Sequence, residues 1–388
     1  MATTKLNPFD EYQKVIDALF GAGVVRINPS VVSNNAIGTW RHADEFEMFK
    51  NNYTNKLQRL KDLYAGTKEC GIIQNLAASI ADEKNWEGAY AELVAYDILN
   101  TDYNAPLKLD NTRKASFAIA GKMGMKNINY DIYMPDYGVY MDVKAFTDTV
   151  GDILNHSVIQ HVLRSPEFAP YRINILPEHP LDEDNNKYTL NVGALQTELS
   201  NKLREMIATN SKRMSFASQI VQQLRFNVLR DGGVNSSEST YSPYRHAEAM
   251  KDFIIRRYSN KLPITRPFFL VFVNFPWYNQ ITNDAFGNNK IFYRSLARRT
   301  FIQYKNDTIL ASSINGKIGD KSRAKNIIQK LSGIIFIDDH SITENSYNAY
   351  IYTNPNAKNK CRRLDSYFYE VLRKAKDGEF DDFQYDNY

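Results

Sequence analysis

The chain has 388 residues and a net charge of +4, and 43% of its residues are hydrophobic, which suffices for a sizeable core. Its 25 Tyr and 21 Phe exclude a disordered chain, and its two cysteines alone predict neither a zinc site nor a disulfide framework. No apolar run is long enough to span a bilayer and no signal core follows the N-terminus, so we expect a cytoplasmic protein with no membrane partner.

The first 80 residues are predicted to form a helical layer. Apolar residues recur with helical spacing over residues 12–20 and 46–64, and a glycine follows each segment. This region shows no recognisable chemistry. We assign it an accessory role or a role in forming a homodimer.

The core is predicted to begin with a helix over residues 86–99, within a first core segment taken as residues 81–165. Glu92 lies next to the apolar stripe of this helix, where the helix would pack on a sheet. The ordinary interpretation is a glutamate at the boundary of an amphipathic helix.

A β-hairpin is predicted over residues 129–146. Two segments rich in β-forming residues flank the four residues Pro-Asp-Tyr-Gly, which suit a short loop. If these four residues form the loop, Met134 pairs with Val139. The same register then places Asp131 opposite Asp142.

Three charged residues of this hairpin share one face. Side chains alternate along a strand, so Asp131, Asp142 and Lys144 leave the sheet on the same side. Two carboxylates opposite each other are destabilising, whereas a divalent cation would turn their repulsion into a binding site. The alternative is a surface hairpin whose polar residues are merely solvated.

The pattern of a helix with G-x-x-x-E, a strand with Asp and a second strand with D-x-K resembles the PD-(D/E)XK nuclease superfamily. The matching residues are Gly88, Glu92, Asp131, Asp142 and Lys144. The resemblance covers residues 86–164 and implies a restriction-endonuclease-like fold.

The match departs from the family pattern at one position, because Tyr130 and not proline precedes Asp131. A literal Pro135-Asp136 pair does occur, but it lies in the loop only six residues before Asp142, and we interpret it as a decoy.

The resemblance implies a metal-dependent phosphodiesterase, with DNA the expected substrate and RNA an alternative. Mg²⁺, or Mn²⁺, would be held by Glu92, Asp131, Asp142 and the carbonyl of Val143, and Lys144 would position a water or stabilise developing charge. This points to an endonuclease of a restriction or phage-defence type.

A further helix is predicted after the hairpin from apolar residues between positions 153 and 163. Gln160 on this helix could support the site, as a polar residue does in several branches of the family. A solvated helix face is the alternative.

Residues 166–266 are predicted to be a mainly helical insertion, with helices around residues 195–206 and 216–228. Residues 196–262 hold 11 Lys and Arg against 6 Asp and Glu. This excess marks a candidate nucleic-acid-binding subdomain, although a charged helical face is the simpler explanation.

The last part of the chain, residues 267–388, is predicted to return to the core with strands at 267–275, 331–337 and 349–353, followed by an acidic tail. Between the first two strands, residues 281–330 carry 10 Lys and Arg against 3 Asp and Glu. Such an excess suits binding of a phosphate backbone. The candidate DNA-binding residues are Arg294, Arg298 and Arg299 on a helix, and Lys317, Lys321 and Arg323 in a loop.

The expected fold class is α/β, with a mixed central sheet flanked by helices, a helical N-terminal layer and a helical insertion. The alternative to a nuclease is a non-catalytic nucleic-acid-binding protein that keeps a nuclease-like fold. Three clustered carboxylates argue against that alternative, because a pure binder gains nothing from them near a polyanion. An enzyme of another class has no support, because neither a nucleotide loop nor a Ser-His-Asp signature is found.

Overall fold

A computed structural model gives the fold. It describes residues 8–27, 43–82, 86–103, 106–118, 125–146, 153–177, 191–221, 224–232, 235–237, 243–275, 288–302, 318–341 and 345–361. The acidic tail lies outside these ranges.

The helices are α1 (Pro8–Phe20), α2 (Ala43–Leu63), α3 (Glu69–Ser79), α4 (Trp86–Tyr103), α5 (His161–Leu163), α6 (Val192–Ala208), α7 (Pro243–Tyr258), α8 (Asn288–Ile302) and α9 (Ile318–Lys330). A π-helical segment, Ile153–Gln160, leads into α5. The strands are β1 (Lys108–Ala118), β2 (Met125–Met134), β3 (Val139–Ala145), β4 (Tyr171–Pro177), β5 (Arg213–Ala217), β6 (Leu224–Arg230), β7 (Ser236–Ser237), β8 (Phe268–Asn274), β9 (Gly333–Asp339) and β10 (Tyr347–Thr353).

The chain divides into two compact units. The first unit comprises Met1–Thr147, Ile255–Tyr278 and Thr300–Asp382. The second comprises Asp148–Ile254, Asn279–Arg299 and Phe383–Tyr388.

The first unit is built on a six-stranded sheet with the order β1-β2-β3-β8-β9-β10. The pairs β3–β8 and β8–β9 are parallel and the other three are antiparallel. Every residue of β8 and β9 is buried, as expected for strands in the middle of a sheet that is covered on both faces. The mixed sheet flanked by helices confirms the predicted α/β class, and β8, β9 and β10 confirm the three predicted strands.

Helices α1 to α3 lie in the N-terminal region that is predicted to be helical, and α4 is the helix predicted to begin the core. α4 packs against β3 and β8, and apolar side chains of all four helices share one core with the sheet. A buried hydrogen bond of 2.7 Å joins the hydroxyls of Tyr12 and Tyr53, which ties α1 to α2. Hence α4, the helix that carries Glu92, is fixed on both sides.

The hairpin β2–β3 has the predicted register. Met134 pairs with Val139 and Ile132 with Met141, so the next opposing pair in this register is Asp131 and Asp142. Gly138 ends the loop with a φ of 65°, a conformation that glycine adopts without strain, and its N–H donates to the Met134 carbonyl at 2.8 Å. The loop therefore fixes the position of the two aspartates.

The second unit contains a four-stranded sheet with the order β5-β6-β4-β7. The prediction of a helix over residues 216–228 is wrong, because this stretch forms β5 and β6. The insertion therefore contains a four-stranded sheet in addition to its helices. The helix around residues 195–206 is confirmed by α6, whose apolar face packs on this sheet.

One prediction for the last part of the chain is also wrong. The expected loop around Lys321 and Arg323 is the helix α9, whose residues Ala324, Ile327 and Ile328 are buried. Among the helices in the described ranges, none combines the length and apolar content needed to cross a membrane.

Candidate functional site

The hairpin brings two aspartates together at the point where β2 and β3 separate. The side chain of Asp142 is only 1% exposed. Asp131 Oδ2 accepts a hydrogen bond of 2.6 Å from the Val143 N–H. This carboxylate oxygen therefore acts as the acceptor that a backbone carbonyl of a paired strand would otherwise provide. Its position is therefore held by the backbone of β3.

Two lysine ammonium groups neutralise the buried carboxylate. Lys144 Nζ lies 3.4 Å from Asp142 Oδ2 and 3.7 Å from Asp131 Oδ2, as expected if the three side chains share a face. Lys261 Nζ donates to the same Asp142 oxygen at 3.1 Å. About a third of each lysine side chain is exposed, 32% for Lys144 and 29% for Lys261, so both reach from solvent to a buried charge.

Glu92 is held at the site by its own helix. Tyr96, one turn further along α4, donates its hydroxyl to Glu92 Oε2 at 2.9 Å. Glu92 interacts electrostatically with Lys144 and Asp142, so α4 and the hairpin contribute to one charged cluster.

The electrostatics of the cluster favour an added positive charge. Burial raises the pKa of Glu92 from 4.5 to about 6. Burial, followed by the charge of Asp142, raises the pKa of Asp131 well above its usual range. Burial alone would lower the pKa of Lys144, but the three neighbouring carboxylates raise it. Burial and the nearby carboxylates thus raise the pKa of both Glu92 and Asp131.

One oxygen at the centre of the cluster lacks a donor. Asp142 Oδ1 is buried and accepts no hydrogen bond from an N–H donor of the described residues, and the contact between the Asp131 and Asp142 side chains raises the pKa of Asp131. Carboxylate oxygens are the ligands that Mg²⁺ prefers, so this oxygen suits a divalent cation. Within the described residues, no three His, Cys, Asp or Glu side chains are already grouped as a metal site. The fit to Mg²⁺ thus rests on the Asp131–Asp142 pair.

No family model, curated protein or solved structure matches this chain.

Two further groups are predicted to support the site, the Val143 carbonyl and the Gln160 side chain. Val143 is buried on β3 between Asp142 and Lys144, and its N–H already serves Asp131. Gln160 ends the π-helical segment of the second unit and is exposed. The roles of the Val143 carbonyl and the Gln160 side chain stay predictions.

The basic residues predicted to bind DNA are not one exposed surface. Arg294 on α8 is exposed, but Arg298 and Arg299 are buried because most of α8 faces inward. Arg299 Nε donates to Ser295 Oγ at 3.0 Å. We predicted that all three arginines contact phosphates. For Arg298 and Arg299 this prediction is wrong, because both side chains are buried and a ligand cannot reach them.

The other three candidates lie on or near α9. Arg323 is half-buried there, Lys321 is in the helix with its side chain outside the described residues, and Lys317 lies outside the described residues altogether. These three stay predictions.

Sequence reasoning missed two polar residues of the cluster. Tyr96 falls among the apolar positions of the predicted helix, but its spacing of four residues from Glu92 is the spacing at which helical side chains meet. Lys261 had been assigned to the insertion. No motif marks it, because 119 residues separate it from Asp142.

Proposed function

We propose that the chain is a metal-dependent nuclease that hydrolyses phosphodiester bonds, with DNA as the substrate. The observation that carries the proposal is the buried Asp142 carboxylate beside that of Asp131, with Lys144 in contact with both aspartates. The resemblance to PD-(D/E)XK nucleases supports it, because these three residues and Glu92 match the charged positions of the family's motif.

In this proposal the aspartates would hold Mg²⁺ or Mn²⁺, and Glu92, fixed by Tyr96, would supply the third carboxylate. When bound, the cation supplies Lewis acidity, which lowers the pKa of a water and offsets charge on the phosphate. Lys144 would orient the attacking water through its ammonium group. The water oxygen bonds to phosphorus and gives up one proton to solvent, one P–O ester bond breaks, and the departing oxygen takes up a proton from solvent.

Burial of Asp142 serves this chemistry in two ways. A carboxylate that is removed from water attracts a cation more strongly than an exposed one. Its position is also fixed, since β3 is paired on both sides, by β2 and by β8. A fixed pair of carboxylates spends little free energy on rearrangement when a cation binds.

The test is incubation of plasmid DNA with the protein in Mg²⁺, in Mn²⁺ and in EDTA. We expect cleavage with either metal and none in EDTA. Asp142→Asn and Lys144→Met should each lower the cleavage rate by at least 100-fold, on the order of the loss on removing a key catalytic group. Asp136→Asn is the matched control: Asp136 is an exposed carboxylate in the loop of the same hairpin, and its loss should leave the rate unchanged.

Cleavage by Asp142→Asn at the wild-type rate would refute the assignment of the nuclease site to this hairpin. A wild-type protein that binds DNA but cuts neither DNA nor RNA with any divalent metal would favour the alternative, a nucleic-acid-binding protein with a nuclease-like fold.

A further inference from the structure

The two lysines that contact Asp142 are held in different ways. Lys144 Nζ contacts both aspartates, at 3.4 Å from Asp142 Oδ2 and 3.7 Å from Asp131 Oδ2. Lys261 Nζ lies 3.1 Å from Asp142 Oδ2, and Asp142 is its only ion-pair partner among the described residues. The ammonium group of Lys261 is therefore the easier of the two to displace from the carboxylates.

The backbone of Lys261 is fixed, whereas its side chain is not enclosed. The residue lies in the turn that follows α7, where its N–H donates to the Tyr258 carbonyl at 2.8 Å. Its carbonyl accepts a hydrogen bond of 2.6 Å from the Tyr130 hydroxyl. The side chain is 29% exposed, and Nζ lies 5.8 Å from the centre of the Tyr258 ring. Because the lysine stem has four carbons and a fixed root, it can carry the ammonium group from Asp142 toward solvent.

The charge of the cluster decides whether a phosphate can bind there. When ionised, the three carboxylates and two ammonium groups have a net charge of −1. A phosphodiester, which also carries −1, is repelled by this charge. With a divalent cation present the net charge becomes +1, which one phosphodiester neutralises. Without the ammonium group of Lys261 the same site would be neutral and would attract a phosphate less strongly.

We propose that Lys261 is a phosphate-binding residue of this site and that it exchanges partners when a cation is present. In the protein without metal, its ammonium group donates to Asp142. When Asp142 is neutralised by a divalent cation, the ammonium group donates instead to an oxygen of the substrate's phosphate. The inference rests on the proposed nuclease function for the cation and for DNA as the source of the phosphate.

The exchange makes the contribution of Lys261 to DNA binding depend on the metal. While the ammonium group is paired with Asp142, its charge is compensated and adds little attraction for a polyanion. After the exchange the same charge is free to pair with a phosphate. Lysine suits this role because its ammonium group is a compact charge with three donors, which requires no fixed bidentate geometry.

The experiment measures binding of a fluorescent 20-base-pair DNA duplex to the full chain over a series of salt concentrations, in EDTA and in Ca²⁺. Ca²⁺ takes oxygen ligands as Mg²⁺ does, and a gel run afterwards verifies that the duplex is intact. Each phosphate contact contributes about 0.9 to the slope of log affinity against log salt. Lys261→Met should therefore lower the slope by about 0.9 in Ca²⁺ and leave it unchanged in EDTA.

Two further variants are the controls. Lys261→Arg keeps a positive charge at the same position, so it should retain the wild-type slope in Ca²⁺. Lys360→Met removes an exposed lysine elsewhere in the same unit and should match the wild type in both solutions.

Titration calorimetry with Mn²⁺ in the absence of DNA gives a second measurement. Lys261→Met should bind Mn²⁺ on the order of tenfold more tightly than the wild type, because no hydrogen bond to a charged group has to be given up. The same variant should cleave plasmid DNA more slowly than the wild type at saturating Mg²⁺. A lysine that only stabilises the fold would not combine tighter metal binding with slower cleavage.

A wild-type slope for Lys261→Met in Ca²⁺ would overturn the proposal. So would an equal fall of the slope in Ca²⁺ and in EDTA, or an unchanged affinity for Mn²⁺, because the contact would then not depend on the cation. Any of these results together with plasmid cleavage by the wild type refutes the role of Lys261 alone. A slope that falls only in Ca²⁺, without cleavage in any metal, supports the phosphate contact and refutes the nuclease alone.

Discussion

Replacing Lys261 by methionine tests whether an ammonium group occupies the place that a cation would take. The variant keeps most of the side-chain volume and removes one of the two positive charges on Asp142. At 3.1 Å and an effective dielectric constant of about 20, the attraction between the charges is about 5 kcal/mol before desolvation. Lys144 remains 3.4 Å away, so Asp142 is not left unpaired.

We therefore expect the net cost of Lys261→Met in EDTA to be about 2 kcal/mol, the usual value of a hydrogen bond to a charged group. Its thermal midpoint should fall by a few degrees. Added Mg²⁺ should raise this midpoint more than it raises that of the wild type, because the cation no longer competes with an ammonium group.

The assay is thermal unfolding in EDTA and across a series of Mg²⁺ concentrations. Lys360→Met, which removes an exposed lysine from the same unit, is the control and should behave as the wild type. The reasoning is refuted if Lys261→Met unfolds at the wild-type temperature in EDTA and responds to Mg²⁺ as the wild type does.

Two further predictions concern buried charge. The pKa of Glu92 rises from 4.5 to about 6 on folding, so its contribution to stability is greatest below pH 4.5 and falls by about 2 kcal/mol as the pH rises through 6. The thermal midpoint of the wild type in EDTA should therefore fall relative to that of Glu92→Gln over this pH interval. Parallel curves of thermal midpoint against pH for the two proteins would show that the pKa of Glu92 is not the cause. Arg298→Ala should lower the thermal midpoint by several degrees because Arg298 is buried, whereas Arg294→Ala should leave it unchanged. Equal midpoints for the two variants would show that burial does not distinguish these arginines.

The position of the aspartates was predictable because it depends on local structure. Loop length fixes the register of a hairpin, and the residues of the loop could be recognised from the sequence. From Met134 and Val139 the rest of the ladder follows by counting. The contact between Lys144 and Asp131 then follows from the alternation of side chains.

Lys261 could not be predicted, because its position depends on how β8 pairs with β3. That pairing is parallel and joins residues far apart in the sequence, such as Asp142 and Leu270. Local patterns contain no information about such a contact. The burial of Arg298 and Arg299 could not be predicted for a related reason. The density of charged residues in a sequence does not show which side of a helix is covered by other parts of the protein.

The two errors of secondary structure have physical explanations. Phe216, Ile220, Leu224 and Val228 are spaced by four residues and imitate a helix, but the alternation within Leu224–Arg230 is that of a half-buried strand. In α9, Gly319 and Ser322 are residues that favour a loop, whereas burial of the apolar residues that follow stabilises the helix.

The parallel pairing of β3 with β8 has a consequence for synthesis on the ribosome. β3 ends at Ala145 and β8 begins at Phe268, so more than a hundred residues, including most of the second unit, are made in between. At about 5–20 residues per second, β3 waits for roughly 6–25 s with one apolar edge unpaired. Unpaired strand edges recruit other chains. The strand that carries Asp142 thus keeps an unpaired edge in the nascent chain until β8 has been made, and truncation before Phe268 should yield an aggregating product.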